Sequence, residues 1–87
     1  MEWFQVITGS QIRAARAAVN LSGAELAKKS GVSLRTVTKI EAFSGLPDAR
    51  IPTIVKLKAV LESAGIEFIG TPDDGPGIRI YSRPSKT

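Results

Sequence analysis

Cysteine and histidine are both absent from the 87 residues of this sequence. The lack of cysteine excludes disulfides and thiolate metal sites. The lack of histidine removes the commonest general base, the commonest metal ligand and the side chain that normally titrates near neutral pH. We therefore expect neither an enzyme nor a protein with a bound metal or cofactor.

Long apolar runs are missing as well. No apolar segment approaches the about 20 residues that a membrane-spanning helix needs, and no secretory signal is visible in the sequence. These absences favour a cytoplasmic protein that has no membrane partner.

Loops that bind phosphate or calcium are not indicated either. The glycine-rich run from Gly70 to Gly77 lacks the Lys-Ser/Thr pair of a phosphate-binding loop. Asp73 and Asp74 stand in a segment that is too short for a calcium loop and has no closing glutamate. Both aspartates are therefore interpreted as turn formers.

Length and charge point to one small basic domain. The 87 residues are enough for one domain, residues 1–87, and leave no room for a separate small-molecule sensor, so no such ligand is expected. Residues 9–58 carry nine basic and three acidic side chains, a net charge of +6. A segment with this excess of positive charge suits a polyanionic partner.

The most informative stretch runs from Ser22 to Glu41, SGAELAKKSGVSLRTVTKIE, and predicts two short helices joined by a tight turn. Ser22 is a candidate N-cap, and Glu25 stands at the position that completes a capping box. Gly31 suits the left-handed exit from the first of these helices.

The second of these helices has one apolar and one polar face. Ser33 is its candidate N-cap, and Val37 and Ile40 form an apolar stripe at helical spacing. Arg35 and Lys39 are four residues apart and share the other face. This helix, predicted over about residues 34–42, therefore presents a partly basic surface.

The rest of the chain predicts two further helices and a hairpin. Ile12 and Ala15 share an apolar face, and Pro52 favours a helix start. A β-branched, aromatic segment, a turn-rich run and an alternating segment follow. The predicted elements are helix 1 over Ser10–Asn20, helix 2 over Gly23–Ser30, helix 4 over Thr53–Ala64, a hairpin over residues 66–81 that turns at Gly70–Gly77, and a disordered tail over residues 82–87.

The combination of these motifs resembles the Cro/repressor-type helix-turn-helix family, also called the xenobiotic-response-element family. The resemblance covers residues 9–64 and extends into the hairpin. It implies a mainly α, four- to five-helix domain like that of lambda repressor, with a C-terminal β-hairpin. The matching residues are Leu26-Ala27, Gly31-Val32-Ser33, Val37, Ile40 and Glu41.

The resemblance also implies an ion pair and shows some departures. In the family, the glutamate at the position of Glu41 commonly pairs with an arginine of the first helix, a place that Arg16 occupies here. Gly23 and Leu34 stand where the family often has glutamine, and Ala42-Phe43 replaces a frequent Asn-Gly. These departures concern the contacts with phosphates and bases more than the fold.

Two groups of residues are expected to contact DNA. A recognition helix lies in the major groove, where arginine and lysine bond to guanine and an apolar side chain meets the thymine methyl. Phosphates bind at helix N-termini, and the resemblance adds the basic residue before helix 4. For Ser22 and Ser33, simple capping is an equally good interpretation. The predicted base contacts are Leu34, Arg35, Thr38 and Lys39, and the predicted phosphate contacts are Ser22, Ser33, Thr36 and Arg50.

The expected function is that of a sequence-specific regulator of transcription, a repressor that binds duplex DNA in the cytoplasm, at the nucleoid. A homodimer through the open edge of the hairpin is expected, unless the hairpin folds back on helix 4. One alternative is an antitoxin whose hairpin or Trp3-Phe4 lead covers a toxin protein. Another is a protein-interaction module that has lost DNA binding, which Leu34 and the missing glutamines would favour.

Overall fold

The computed structural model describes residues 5–81 and shows four α-helices followed by an antiparallel β-hairpin. The predicted mainly α fold with a C-terminal hairpin is confirmed. Trp3, Phe4 and the predicted tail over residues 82–87 lie outside the described residues. The elements are α1 (Gly9–Ala18), α2 (Gly23–Ser30), α3 (Leu34–Glu41), α4 (Ile51–Ser63), β1 (Ile66–Thr71) and β2 (Asp74–Ile80).

Helix α1 begins at Gly9 rather than at the predicted Ser10 because Thr8 caps it. The Thr8 hydroxyl accepts a hydrogen bond from the backbone N–H of Gln11, at 3.1 Å. The Gln11 side chain accepts one in return from the Thr8 backbone N–H, at 2.7 Å. This capping box satisfies two N–H groups that have no partner inside the helix.

The same Gln11 side chain ties α1 to the hairpin. Its amide nitrogen Nε2 donates to the carbonyl oxygens of Ile69, at 3.0 Å, and of Gly77, at 2.8 Å. The buried amide thus uses its oxygen for the cap and its nitrogen for both strands. As a result, the hairpin is docked against the chain's own helices.

Helices α2 and α3 form the predicted helix-turn-helix. Ser22 and Ser33 are their N-caps, and Gly31 ends α2 with a left-handed φ of 76°. Such a φ is easily reached without a Cβ atom. Helix α3 ends at Glu41, one residue before the predicted end.

Helix α4 starts two residues earlier than predicted, at Ile51, and ends one residue earlier, at Ser63. Arg50 is its N-cap, and Pro52 lies in the first turn, where a missing N–H has no consequence.

The strands of the hairpin are longer than predicted. The run from Gly70 to Gly77 was expected to be a turn, but only Pro72 and Asp73 connect the strands. A Cβ at Gly70 would collide with the carbonyl oxygen of Gly75, and both glycines have a positive φ. The glycines therefore allow the two strands to approach closely here. From the sequence pattern alone, such a glycine-rich run is interpreted as a loop.

One core joins the helices and the inner face of the hairpin. Ile66 and Phe68 of β1 are buried against it, and Ile78 of β2 is half-buried. Phe68 therefore offers no apolar area to a partner, because the chain's own core covers it. The other buried apolar residues are Ile7, Ile12, Ala15, Leu26, Ala27, Val37, Ile40, Ile54, Leu57 and Leu61.

Within residues 5–81, no helix has the length and apolar character that crossing a membrane requires.

Gly9 lies where α1 meets the end of α3, and its replacement tests that approach. The added methyl group of Gly9→Ala would overlap the backbone carbonyl oxygens of Ile40 and Phe43. Backbone atoms cannot move aside as a flexible side chain does, so we expect a loss of about 1–3 kcal/mol in the free energy of unfolding. Urea denaturation monitored by circular dichroism measures this.

Gly45→Ala is the matched control, because a Cβ at Gly45 meets no atom within 4 Å and Gly45 has no positive φ. Its effect should stay within about 0.5 kcal/mol. Equal effects of the two substitutions would contradict the close approach at Gly9.

Candidate nucleic-acid interface

Helix α3 has one face in the core and one in solvent. Val37 and Ile40 are buried, as is most of Glu41. Leu34, Arg35, Thr38 and Lys39 are all exposed. Because these positions follow helical spacing, they form one continuous surface. The four residues predicted to contact bases therefore share one exposed face, which we call the α3 outer face (Leu34, Arg35, Thr38, Lys39).

The first residue of this face is held against α2. A Cβ placed on Gly23 would lie 3.3 Å from Cδ1 of Leu34. Leu34 is nevertheless 49% exposed. The two positions at which the resembling family often has glutamine are thus in contact, and here the contact is apolar. Leu34 therefore presents methyl groups beside the basic part of the face.

Much of the positive charge of this domain is not neutralised by carboxylates. In the described part of the chain, Arg16, Lys58 and Arg79 form ion pairs with acidic side chains. The remaining cations of helices α2 to α4 have no ion-pair partner among residues 5–81, and each of them is exposed. They are Lys28, Lys29, Arg35, Lys39, Arg50 and Lys56.

The N-terminus of α2 is already occupied by a carboxylate. The Ser22 hydroxyl accepts from the Glu25 N–H at 3.0 Å, and the Ser22 N–H donates to the Glu25 carboxylate at 2.7 Å. The backbone N–H of Ser22, a predicted phosphate contact, is therefore bonded within the chain. These hydrogen bonds hold the pKa of Glu25 below its ordinary value, and the bond from the Ser22 backbone N–H is the largest cause.

The N-terminus of α3 carries no such carboxylate. The Ser33 hydroxyl accepts from the Thr36 N–H at 3.1 Å and donates to the Thr36 hydroxyl at 2.9 Å. No acidic residue occupies the first turn of α3, so its N-terminal partial positive charge is not compensated there. Of the two helix starts, that of α3 is better suited to an anion.

Arg50 lies at the start of α4 rather than in the middle of a loop. It is the N-cap residue of α4, but its side chain makes no capping hydrogen bond. The side chain is exposed and extends from a rigid helix end, so it is free to meet a ligand without disturbing the helix.

A bidentate ion pair fixes α3 relative to α1. Arg16 Nε lies 2.8 Å from Glu41 Oε2, and a second guanidinium nitrogen lies 2.9 Å from Oε1. The third nitrogen donates to the Leu21 carbonyl at 2.9 Å, in the turn between α1 and α2. The hydrogen bond to Glu41 is the main cause of a raised pKa of Arg16, which desolvation partly opposes.

Arg13 adds a further link by donating to the backbone carbonyl of Glu41. The orientation of the α3 outer face therefore depends on two arginines of α1.

The sequence contains a recognisable pattern for the Thr8–Gln11 capping box but none for the contact between Leu34 and Gly23. The Thr8–Gln11 capping box matches the Thr-x-x-Gln pattern, so the pattern alone could have identified it. Nothing in the local pattern links Leu34 to Gly23, which meet only because α2 and α3 cross.

Two short helices joined by a left-handed glycine, with the second helix exposing a partly basic face, define a helix-turn-helix domain. A helix-turn-helix family model matches residues 12–68, well over half of the chain. The chain belongs to the helix-turn-helix family of the Cro/C1 type, a family of DNA-binding regulators of transcription. No curated protein matches the chain.

The ion pair between Arg16 and Glu41 can be tested against a pair whose two side chains are both exposed. Glu41→Gln leaves a positive charge on an Arg16 side chain that is only 23% exposed. We expect a loss of about 2–3 kcal/mol in the free energy of unfolding, since a hydrogen-bonded, poorly solvated charge loses its partner. Urea denaturation at neutral pH measures the change.

Glu67→Gln is the matched control. Its carboxylate lies 3.0 Å from the Arg79 guanidinium, and both side chains are exposed, Arg79 to 58% and Glu67 to 45%. The expected change is about 0.5 kcal/mol or less. If Glu41→Gln were no worse than this control, α3 would not depend on the pair.

The lowered pKa of Glu25 predicts how acid acts on α2. The ionised carboxylate stabilises the fold at a pH above the pKa it has in the unfolded chain, and this contribution is lost as the pH falls through the folded pKa. We expect Glu25→Gln, which keeps an acceptor oxygen, to lower Tm at neutral pH and to match the wild type in acid. Thermal melts across the acidic range measure the difference, and a constant difference at every pH would contradict this origin.

Proposed function

We propose that this protein is a sequence-specific regulator of transcription that inserts α3 into the major groove of duplex DNA. The α3 outer face carries the proposal, because it is continuous, exposed and basic, and is held by the pair between Arg16 and Glu41. A recognition helix needs both free side chains and a fixed axis. The absence of ion pairs at Arg35 and Lys39 within residues 5–81 supports the same proposal.

The side chains of the face have different proposed roles. Arg35 is at the N-terminal end of α3, from which recognition helices reach base edges, and its guanidinium suits O6 and N7 of guanine. Lys39 follows one turn later, and Thr38 can bond to several base edges. Leu34, packed on Gly23, presents methyl groups to the C5-methyl of thymine.

The phosphate contacts are proposed to centre on the start of α3. Its first turn has uncompensated N–H groups, and the Thr36 hydroxyl can donate to a phosphate while it accepts from Ser33. Arg50 is proposed to reach the backbone from the start of α4. Ser22 would contribute only its hydroxyl proton, because Glu25 holds its N–H.

Repression is the regulatory role we propose. A bound protein blocks transcription by occupying its site, which requires neither a cofactor nor an activating surface. The place of action would be the nucleoid in the cytoplasm. The six exposed cations of helices α2 to α4 that have no ion-pair partner among residues 5–81 support a DNA ligand, since phosphate neutralisation supplies much of the affinity of such proteins.

Replacement of Arg35 tests the proposal. A binding site is first selected by the wild type from random duplexes, and then Arg35→Ala is titrated on that site and on single-base variants. We expect a loss of about 1–3 kcal/mol of binding free energy and relaxed selectivity at one base pair. For the wild type, log affinity should fall with log salt by about 0.9 per phosphate contact.

Arg79→Ala is the matched control, since Arg79 lies on the hairpin and is paired with Glu67. It should bind the selected site like the wild type. No binding by the wild type at low salt would refute the proposal and favour a protein-interaction module. Equal losses of affinity for Arg35→Ala and Arg79→Ala would indicate that positive charge attracts the DNA and that α3 does not contact specific bases.

A further inference from the structure

Leu34 is the one large apolar side chain that α3 exposes. The other large apolar residues of this helix, Val37 and Ile40, are buried in the core, whereas about half of Leu34 is exposed. Its Cδ1 atom lies 3.3 Å from the place that a Cβ at Gly23 would occupy. The side chain therefore packs against the start of α2 and keeps its other half free for a ligand.

The α3 outer face divides into an apolar row and a basic row. Side chains four positions apart are neighbours on a helix, so Leu34 adjoins Thr38, and Arg35 adjoins Lys39. The first row carries methyl groups and one hydroxyl. The second carries two cations that have no ion-pair partner within residues 5–81. An apolar surface thus lies directly beside a guanidinium.

The two rows suit two neighbouring base pairs. Consecutive Cα atoms are about 3.8 Å apart, which is close to the rise of about 3.4 Å per base pair in duplex DNA. With Arg35 on O6 and N7 of a guanine, Leu34 would face the adjacent base pair. A leucine side chain neither donates nor accepts a hydrogen bond. The group that it can recognise in the major groove is therefore the methyl group at C5 of a pyrimidine.

We propose that this protein detects cytosine methylation, and that it binds a site more tightly when the cytosine beside the guanine bound by Arg35 carries a C5-methyl group. Thymine and 5-methylcytosine hold this methyl group at the same place in the major groove. They differ at C4, where thymine has an acceptor and cytosine has a donor. Leu34 has no polar atom that could distinguish the two, and the Thr38 hydroxyl can serve as donor or acceptor. A surface that accepts thymine therefore accepts 5-methylcytosine as well.

Unmodified cytosine lacks the group that Leu34 contacts, so the methylation state of such a site would set its occupancy. This form of regulation requires no sensor domain, because the signal is part of the DNA ligand. It rests on the proposed function, since it requires α3 to lie in the major groove.

Duplexes that differ by one methyl group test the contact. A site is selected by the wild type from random duplexes. The pyrimidine beside the guanine that Arg35 selects is then varied as thymine, uracil, 5-methylcytosine and cytosine. Burial of one methyl group is worth about a fourfold change in affinity. We expect the wild type to bind thymine about fourfold more tightly than uracil, and 5-methylcytosine about fourfold more tightly than cytosine.

Leu34→Ala separates the contact from any effect of the methyl group on the shape of the DNA. This variant should bind the methylated and unmethylated member of each pair equally, because the coupling between side chain and methyl group is removed. Leu34→Gln, which keeps the length of the side chain, should do the same. Circular dichroism checks that both variants are folded.

Leu46→Ala is the matched control, because Leu46 is also an exposed leucine but lies outside α3, between α3 and α4. It should keep both fourfold differences.

Three results would overturn the proposal and leave the proposed function standing. The first is a selected site in which no thymine lies beside the guanine that Arg35 selects. The second is equal binding of methylated and unmethylated cytosine by the wild type. The third is a fourfold difference that persists in Leu34→Ala and Leu34→Gln. Failure of the wild type to bind any duplex at low salt would instead refute the proposed function, and this proposal with it.

Discussion

The geometry of α3 depends on Glu41, whose carboxylate and backbone carbonyl are bound by two arginines of the neighbouring helix α1. Glu41 is the last residue of α3. Arg16 binds both of its carboxylate oxygens, and Arg13 donates a hydrogen bond to its backbone carbonyl. A guanidinium that meets a carboxylate with two parallel bonds fixes direction as well as distance. The helix axis, and with it the outer face, is therefore set from the side that lies away from the proposed DNA contact.

The close passage of α1 behind α3 makes this arrangement possible. Gly9 allows the start of α1 to lie directly on the carbonyls at the end of α3, and its N–H donates to the Gly45 carbonyl at 2.9 Å. The two helix starts of the motif then differ in their charge. Glu25 compensates the start of α2, whereas the start of α3 stays electropositive next to the proposed base-reading residues.

The hairpin shows how one domain can cover one sheet edge and leave another open. Gln11 binds both strands from α1, and Gln5 covers the β1 side. A two-stranded hairpin is marginal by itself, so these contacts and the burial of Phe68 are what keep it folded against the helices.

Local chemistry determined what the sequence alone could predict. Capping by Ser22 and Ser33, the left-handed exit at Gly31 and the 3.6-residue period of apolar positions act over a few residues, so the helices and the exposed face were predictable. Only the tertiary structure decided the length of the strands, the contact of Leu34 with Gly23 and the two hydrogen bonds that Gln11 donates to the hairpin. The Gln11 contacts join residues 58 and 66 positions apart, and their geometry arises from packing, which no local propensity contains.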